Sequence, residues 1–218
     1  MKILALDTCL EACSAALWDD GRTLDAVSEP MARGHQERLA PMVAEMMARA
    51  GVEFSALDRI AVTVGPGSFT GLRVGLAFAK GLALALDRPC VGVGVLEALA
   101  TGAANQGFVA AAVDAKRGQV YLQVFADGRA IMAPDGLDIP VAAARLAELW
   151  GGGPAVLVGS GAPLLAGVLP EAQVLETAVA DPVAIARLAA VARPPFAPAR
   201  PLYLRAPDAK LPGGITPP

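Results

Sequence analysis

Charge is scarce in this sequence, and histidine scarcer. Charged residues make up 18% of the 218 positions, against about 25% in ordinary soluble domains. The net charge is −3 and the pI about 5.2. No run of Lys or Arg occurs, which argues against unaided nucleic-acid binding through a basic stripe; the only clustered cations are Lys116-Arg117 and scattered arginines near the C-terminus. The three cysteines, Cys9, Cys13 and Cys90, are an odd set with no Cys-x-x-Cys. That excludes a disulfide framework and gives a metal little to hold. They read as small buried apolar residues in a reducing compartment. The opening MKILALDT is no signal peptide, because its apolar run stops at Asp7. The longest apolar tract, 74–86, is broken by Lys80 and reads as too short for a bilayer. A soluble, cytoplasmic protein is expected. What is abundant is Ala, Val and Leu, within a hydrophobic content of 55%. That supplies an ample core and leaves apolar surface over, which partner chains often cover.

Hydrophobic patterning gives the order of elements. Residues 2–6, 13–18 and 23–29 read as three antiparallel strands, with Asp19-Asp20-Gly21 as a hairpin turn. Residues 34–50 are helical: Leu39, Met42, Val43 and Met46 fall at i, i+3, i+4 and i+7. Ala40, Ala44 and Met47 add a second stripe, and Gly51 ends the helix. A strand at 60–64, a helix at about 68–86, a strand at 90–93 and a short helix at 96–102 follow. Asn105-Gln106-Gly107 marks a lobe boundary, giving lobes 1–105 and 106–218. The second lobe holds a hairpin (109–114 and 119–125), a helix at 140–150 and a strand at 155–158. Its last helix, 181–192, has Asp181 as cap and Pro182 behind it. The tail is proline-rich; Pro201-Leu202-Tyr203-Leu204-Arg205 reads as a short strand or an ordered arm, and 212–218 as frayed. Two similar α/β lobes point to a two-lobed actin-like or sugar-kinase-like ATPase fold.

The stretch GPGSFTGLRVGLAFAKGLA, 65–83, sets glycines before a helix as phosphate-binding loops do. A P-loop fails, since Thr70 and Gly71-Leu72 stand where Gly and Lys-Ser/Thr are needed. A dinucleotide fingerprint fails because Gly65, Gly67 and Gly71 are spaced one residue too long, and Pro66 removes a backbone donor. A structural reading does better. Gly65 and Gly67 permit a sharp turn, and Ser68 caps the helix. Gly71, Gly75, Ala79 and Ala83 form one ridge of small side chains. Two helical glycines cost about 2 kcal/mol relative to alanine, and close helix approach is a reason to bear it. That approach can be internal or intermolecular, and an anion at the helix N-terminus stays open.

Six pieces together carry a resemblance: Leu4-Ala5-Leu6-Asp7-Thr8, Trp18-Asp19-Asp20-Gly21, His35-Gln36-Glu37-Arg38-Leu39-Ala40-Pro41, GPGSFTGLRVG, Val113-Asp114-Ala115-Lys116-Arg117-Gly118-Gln119-Val120-Tyr121, and Pro201-Leu202-Tyr203-Leu204-Arg205. Over residues 1 to about 212 the chain resembles the TsaB (YeaZ) family of bacterial tRNA threonylcarbamoyladenosine biosynthesis. GPGSFTGLRVG is the most specific piece; Lys116-Arg117 stands where Arg and a variable residue are usual. The resemblance implies an actin-like (ASKHA, ribonuclease H-like) α/β fold and a non-catalytic scaffold. The partners it implies are the catalytic paralogue TsaD and the ATPase TsaE. Together these move threonylcarbamoyl from its adenylate onto an adenosine beside the anticodon, so tRNA is met only through the complex. Without the partner a homodimer is implied. No cofactor of its own is implied; ADP or ATP at a partner interface is left open.

The paralogue's metal-binding His-x-x-x-His falls, on the shared Leu-Glu, at Val95 and Leu99, which offer no lone pair. His35 is the only histidine and reads as a helix-terminal or interface hydrogen-bonding residue, or as a base without a placed nucleophile. Asp7, Thr8 and Asp114 follow strands where actin-like ATPases bind phosphate. The first of those turns lacks glycine, so Asp7 reads as a structural relic, with weak nucleotide binding as the other reading. Lys116 and Arg117 read as a solvated hairpin tip, or as contacts to RNA phosphate or a partner carboxylate. The expected partner interface is His35, Leu39, Met42, Val43, Met46, Gly71, Leu72, Gly75 and Ala79. Arginine at Gly75 or Met46 is then expected to break pairing and spare the fold. The other function class is a stand-alone ATPase, small-molecule kinase or peptidase of the same fold.

Overall fold

The computed structural model describes residues 1–103, 107–196 and 198–205. The lobe boundary expected at 105/106 lies outside the described residues. The first sheet holds β1 (Lys2–Asp7), β2 (Ala12–Asp19), β3 (Arg22–Pro30), β4 (Arg59–Thr63) and β5 (Cys90–Val93) in the order β3-β2-β1-β4-β5. The second holds β6 (Phe108–Lys116), β7 (Gln119–Ala126), β8 (Arg129–Asp138), β9 (Ala155–Val158) and β10 (Gln173–Leu175) in the order β10-β9-β6-β7-β8. The two orders are the same pattern: a central strand with a meander on one side and parallel strands on the other. In β1 every residue from Ile3 to Asp7 is buried. An unbroken apolar run is what a strand covered on both faces requires.

Five helices complete the layers: α1 (His35–Ala50), α2 (Phe69–Leu86), α3 (Val95–Thr101), α4 (Ile139–Leu149) and α5 (Pro182–Val191). Helices α1 and α2 pack on the first sheet and on each other. On α1 the buried stripe is Leu39, Met42, Val43, Met46 and Met47, and burial of each such side chain is worth about 1.5–3 kcal/mol. The last helices are exchanged. Helix α5 follows the second sheet in the chain but packs on β1 and β2, while α3 follows the first sheet and packs on β6 and β7. Strand alternation makes this work. Val109, Ala111 and Val113 of β6 join the core shared with the first sheet. Ala110 and Ala112 turn to α4 and a 3-10 turn at Ala162–Leu165. Arg59 on β4 fastens the exchange: its guanidinium donates to the carbonyls of Ala189 and Ala192 at the free end of α5 and lies 4.7 Å from the Phe196 ring.

Helix α2 corrects one expectation. It runs 18 residues with a mean hydropathy of 1.4, so by length and composition it reaches a bilayer-crossing helix. One side of it, however, is built into the sheet layer through Gly71, Leu72, Gly75, Leu76, Ala79 and Ala83. Strands β8 and β10 are also absent from the sequence reading. Both are edge strands; β8 carries Pro134 and Gly136, and β10 is three exposed residues, so neither contains the fully buried apolar positions that mark a central strand.

Candidate functional site

The β1–β2 and β6–β7 turns, which stand where actin-like ATPases bind phosphate, face each other across a cleft between the lobes. Most of the polar groups there are engaged. Asp7 is fully buried; its Oδ1 accepts from the Cys9 amide at 2.9 Å and the Thr63 hydroxyl at 2.6 Å, and its Oδ2 has no partner. Burial pushes its carboxyl above the usual carboxylate range, and those hydrogen bonds only partly oppose it. The Glu11 amide donates across the cleft to Ala178 O at 3.2 Å, and Cys9 O accepts from the Ser68 amide at 2.7 Å. In the second turn the Asp114 amide donates to Ser160 Oγ at 3.2 Å. The Lys116 amide and ammonium, each at 2.8 Å, both donate to the Asp114 carboxylate. Burial works against that carboxylate, yet the Lys116 hydrogen bonds hold it below its ordinary value. The amides of Cys9, Glu11, Ser68, Asp114 and Lys116, placed where a phosphate would be cradled, are thus hydrogen-bonded within the chain.

A cavity of about 340 Å³ remains in the cleft, lined in part by Glu11, His35, Ser68, Asp114, Lys116 and Tyr121. His35 is 8% exposed and its Nε2 has no partner. The nucleophiles near it are not activated. Ser68 Oγ caps α2 by accepting the Gly71 amide at 3.2 Å. Burial pushes the Cys9 thiol well up, against the thiolate. Val95 and Leu99 are buried on α3. Among the described residues no group of three or more His, Cys, Asp or Glu is placed to hold a metal.

The nine residues expected to meet a partner need correction. His35, Leu39, Met42, Val43, Met46, Gly71, Leu72, Gly75 and Ala79 are all buried inside this chain. The periodicity located the stripes but not which stripe faces the sheet, and the larger side chains went inward because their burial is worth more. On α2 the close approach is internal. Thr8 Oγ donates to Gly71 O at 2.7 Å. An added Cβ at Gly71 would overlap Thr8 O, and one at Gly75 would come 2.5 Å from Thr8 Oγ. Gly67 is required likewise by Cys9 O, whereas Gly65 takes a φ of +98° at the turn. Arginine at Gly75 or Met46 would therefore break the fold rather than only the pairing.

What α1 and α2 do show to solvent is a second set of small residues: Ala40, Ala44 and Ala48 on α1, and Ala77, Gly81 and Ala85 on α2. A groove of about 530 Å³ runs between the helices, with Leu39, Ala40, Val74, Ala77 and Phe78 among its walls. The tail is an arm rather than a strand. It touches β5 through a bridge between Pro198 and Val91, donates from the Leu202 amide to Val64 O at 2.7 Å, and from the Arg205 guanidinium to Ala115 O at 3.3 Å. Arg59, Gly81 and the placement of Tyr203 went unread in the sequence. A helical glycine off the Gly71–Gly75 ridge was the one signal available for Gly81.

Comparison with known proteins adds four findings. Residues 27–155 match the family model described as TsaD: tRNA N6-adenosine threonylcarbamoyltransferase. The chain is similar to the tRNA threonylcarbamoyladenosine biosynthesis protein TsaB of Escherichia coli K12, with 44% identity over 124 residues, 56% of this chain and 53% of that protein. The match thus spans about half the length of that relative. A solved Pseudomonas aeruginosa structure, described as an uncharacterized protein with similarity to peptidase YEAZ, is 34% identical over 94% of this chain and 99% of its own, with a TM-score of 0.80. The ethanolamine utilization protein EutJ of Carboxydothermus hydrogenoformans is alike in fold alone, at a TM-score of 0.53 and 15% identity over 85% of this chain and 89% of its own. The fold is a two-lobed actin-like α/β arrangement.

Proposed function

The chain belongs to the TsaB (YeaZ) family, and from that premise we propose that it is a non-catalytic scaffold subunit of tRNA threonylcarbamoyladenosine biosynthesis. In this reading it pairs with the catalytic paralogue TsaD through the outer faces of α1 and α2. With the ATPase TsaE it supports transfer of threonylcarbamoyl from its adenylate to the adenosine beside the anticodon. It works in the cytoplasm and meets tRNA only through the complex. Any ADP or ATP sits at the partner interface, since the Cys9, Glu11, Ser68, Asp114 and Lys116 amides of its own cleft are engaged.

Gly81 is the observation that carries the pairing. A glycine inside a helix costs about 1 kcal/mol relative to alanine, and nothing among the described residues calls for it: apart from its own helical backbone, none of their atoms lies within 4 Å of where its Cβ would be. Open space beside an exposed glycine, on a face otherwise of alanine, suits the close approach of another helix. The test is co-purification with TsaD. Gly81→Arg should abolish it while circular dichroism stays as in the wild type and the thermal midpoint does not fall; undiminished pairing would refute the reading. The other function class, a stand-alone ATPase, kinase or peptidase, draws on the buried His35 beside Ser68. It requires turnover of nucleotide or peptide by the purified chain, and none is expected.

A further inference from the structure

Beyond α5 the chain runs along the first lobe and then returns to the second. Pro198 bridges Val91 on β5, and Ala199 is buried. The Leu202 amide donates to Val64 O at 2.7 Å, and Leu202 O lies 3.2 Å from where a Cβ on Gly65 would be. Tyr203 Oη accepts from Arg73 Nε at 3.2 Å. The guanidinium carbon of Arg73 is 3.8 Å from the Phe69 ring centroid, and the Phe69 and Tyr203 centroids are 5.5 Å apart. The next two residues meet the second lobe. Leu204 O is 3.0 Å from where a Cβ on Gly136 would be, tighter than an ordinary contact, and Arg205 donates to Ala115 O at 3.3 Å. Gly136 belongs to β8 and Ala115 to β6. Residues 202–205 therefore cross from the end of β4 to the second sheet.

We infer that residues 202–205 are a strap that limits how far the two lobes part. The cleft cavity lies beside this crossing. Gly67 and Ser68, just past Gly65, line it from the first lobe, and Ala115 and Tyr121, at the far end of the strap, line it from the second. Helices α3 and α5 join the lobes through the shared core. Packed elements of that kind permit hinge and shear motion. A short tether does not: Leu202 on Val64 and Leu204 on Gly136 are two residues apart, a span of at most about 7 Å. While the arm keeps both seats, the cleft keeps its opening. Two-lobed folds commonly open and close around a ligand; here the chain's own C-terminal arm sets the limit. This goes beyond the scaffold reading and does not depend on what α1 and α2 meet.

The experiment is an electron–electron double-resonance distance across the cleft of the full chain. Nitroxide labels go on Arg33→Cys and Glu176→Cys in a Cys90→Ala background. Both positions are exposed, and they lie close to Ala32 and Ala178, which line the cavity from the two lobes. Truncation after Pro201 should lengthen the mean distance by more than about 2 Å and broaden its distribution. Truncation after Arg205 should leave both as in the full chain. Gly136→Val puts carbon where Leu204 O lies and leaves the arm's own sequence intact; it should lengthen the distance by a smaller amount, and so should Arg205→Ala. Circular dichroism checks that each variant is folded. An unchanged or shorter distance on truncation after Pro201 overturns the inference. If that truncation does not fold, an unchanged or shorter distance in both Gly136→Val and Arg205→Ala overturns it instead. Lengthening on truncation after Arg205 does so too, because the limit would then lie outside the strap.

Discussion

Gly71 and Gly75 lie on one side of α2, Gly81 on the other. A methyl group added at Gly71 would run into the carbonyl of Thr8; one added at Gly81 would touch nothing. The inner glycines let a helix and a strand end lock together through Thr8, whose hydroxyl holds Gly71 O. The outer glycine leaves a space this chain does not fill. The same residue type is thus needed inward for folding and outward for contact, and substitutions should separate the two uses.

The largest effect is expected at Gly71. Gly71→Ala pushes a carbon into backbone, which cannot swing aside as a side chain can, so stability should fall by more than about 3 kcal/mol, or the protein should fail to fold. Urea denaturation measures it. A loss similar to that of an ordinary surface change would mean the inner contact is soft.

Asp7 tests the support under that contact, since it anchors the turn that carries Thr8. Asp7→Ala leaves the Cys9 amide and the Thr63 hydroxyl without their acceptor and should cost about 2–4 kcal/mol. Asp7→Asn keeps an acceptor and removes a buried charge. The folded-state pKa of Asp7 is raised, so the stability it contributes is complete below the unfolded value of about 4 and is lost as pH rises through the raised one. Thermal melts from pH 4 to 7 should show the wild type losing stability relative to Asp7→Asn. Parallel curves would show that Asp7 ionises in the fold as easily as in the open chain.

Gly81→Ala is the mildest change and the sharpest comparison. It should stabilise the free chain by about 0.5–1 kcal/mol while loosening the pairing with TsaD, read by isothermal titration. A gain in both would leave Gly81 without a contact role.

How far the sequence discloses this arrangement follows from where burial decides. Central strands such as β1 and β6 are legible because apolar runs there have one explanation. β8 is not, because a free edge tolerates Pro134 and exposed residues. On α1 and α2 the helical period is plain in both stripes, yet period alone does not tell inside from outside. Leu39 and Ala40 are neighbours in sequence with opposite fates, settled by which side chain buries more area. The Gly71–Gly75 ridge is visible as a pattern, but its counterpart is Thr8, more than sixty residues away, and no local signal announces it. Tyr203 is legible as part of a motif and illegible as a neighbour of Arg73.

The exchange of α3 and α5 bears on how the protein comes to exist at all. A ribosome delivers β1 and β2 first and the helix that covers them long afterwards. During that interval the first lobe has strands in place and one apolar face open, so its core closes only once the second lobe has emerged. A chain stalled midway would therefore leave the α5-facing side of β1 and β2 uncovered.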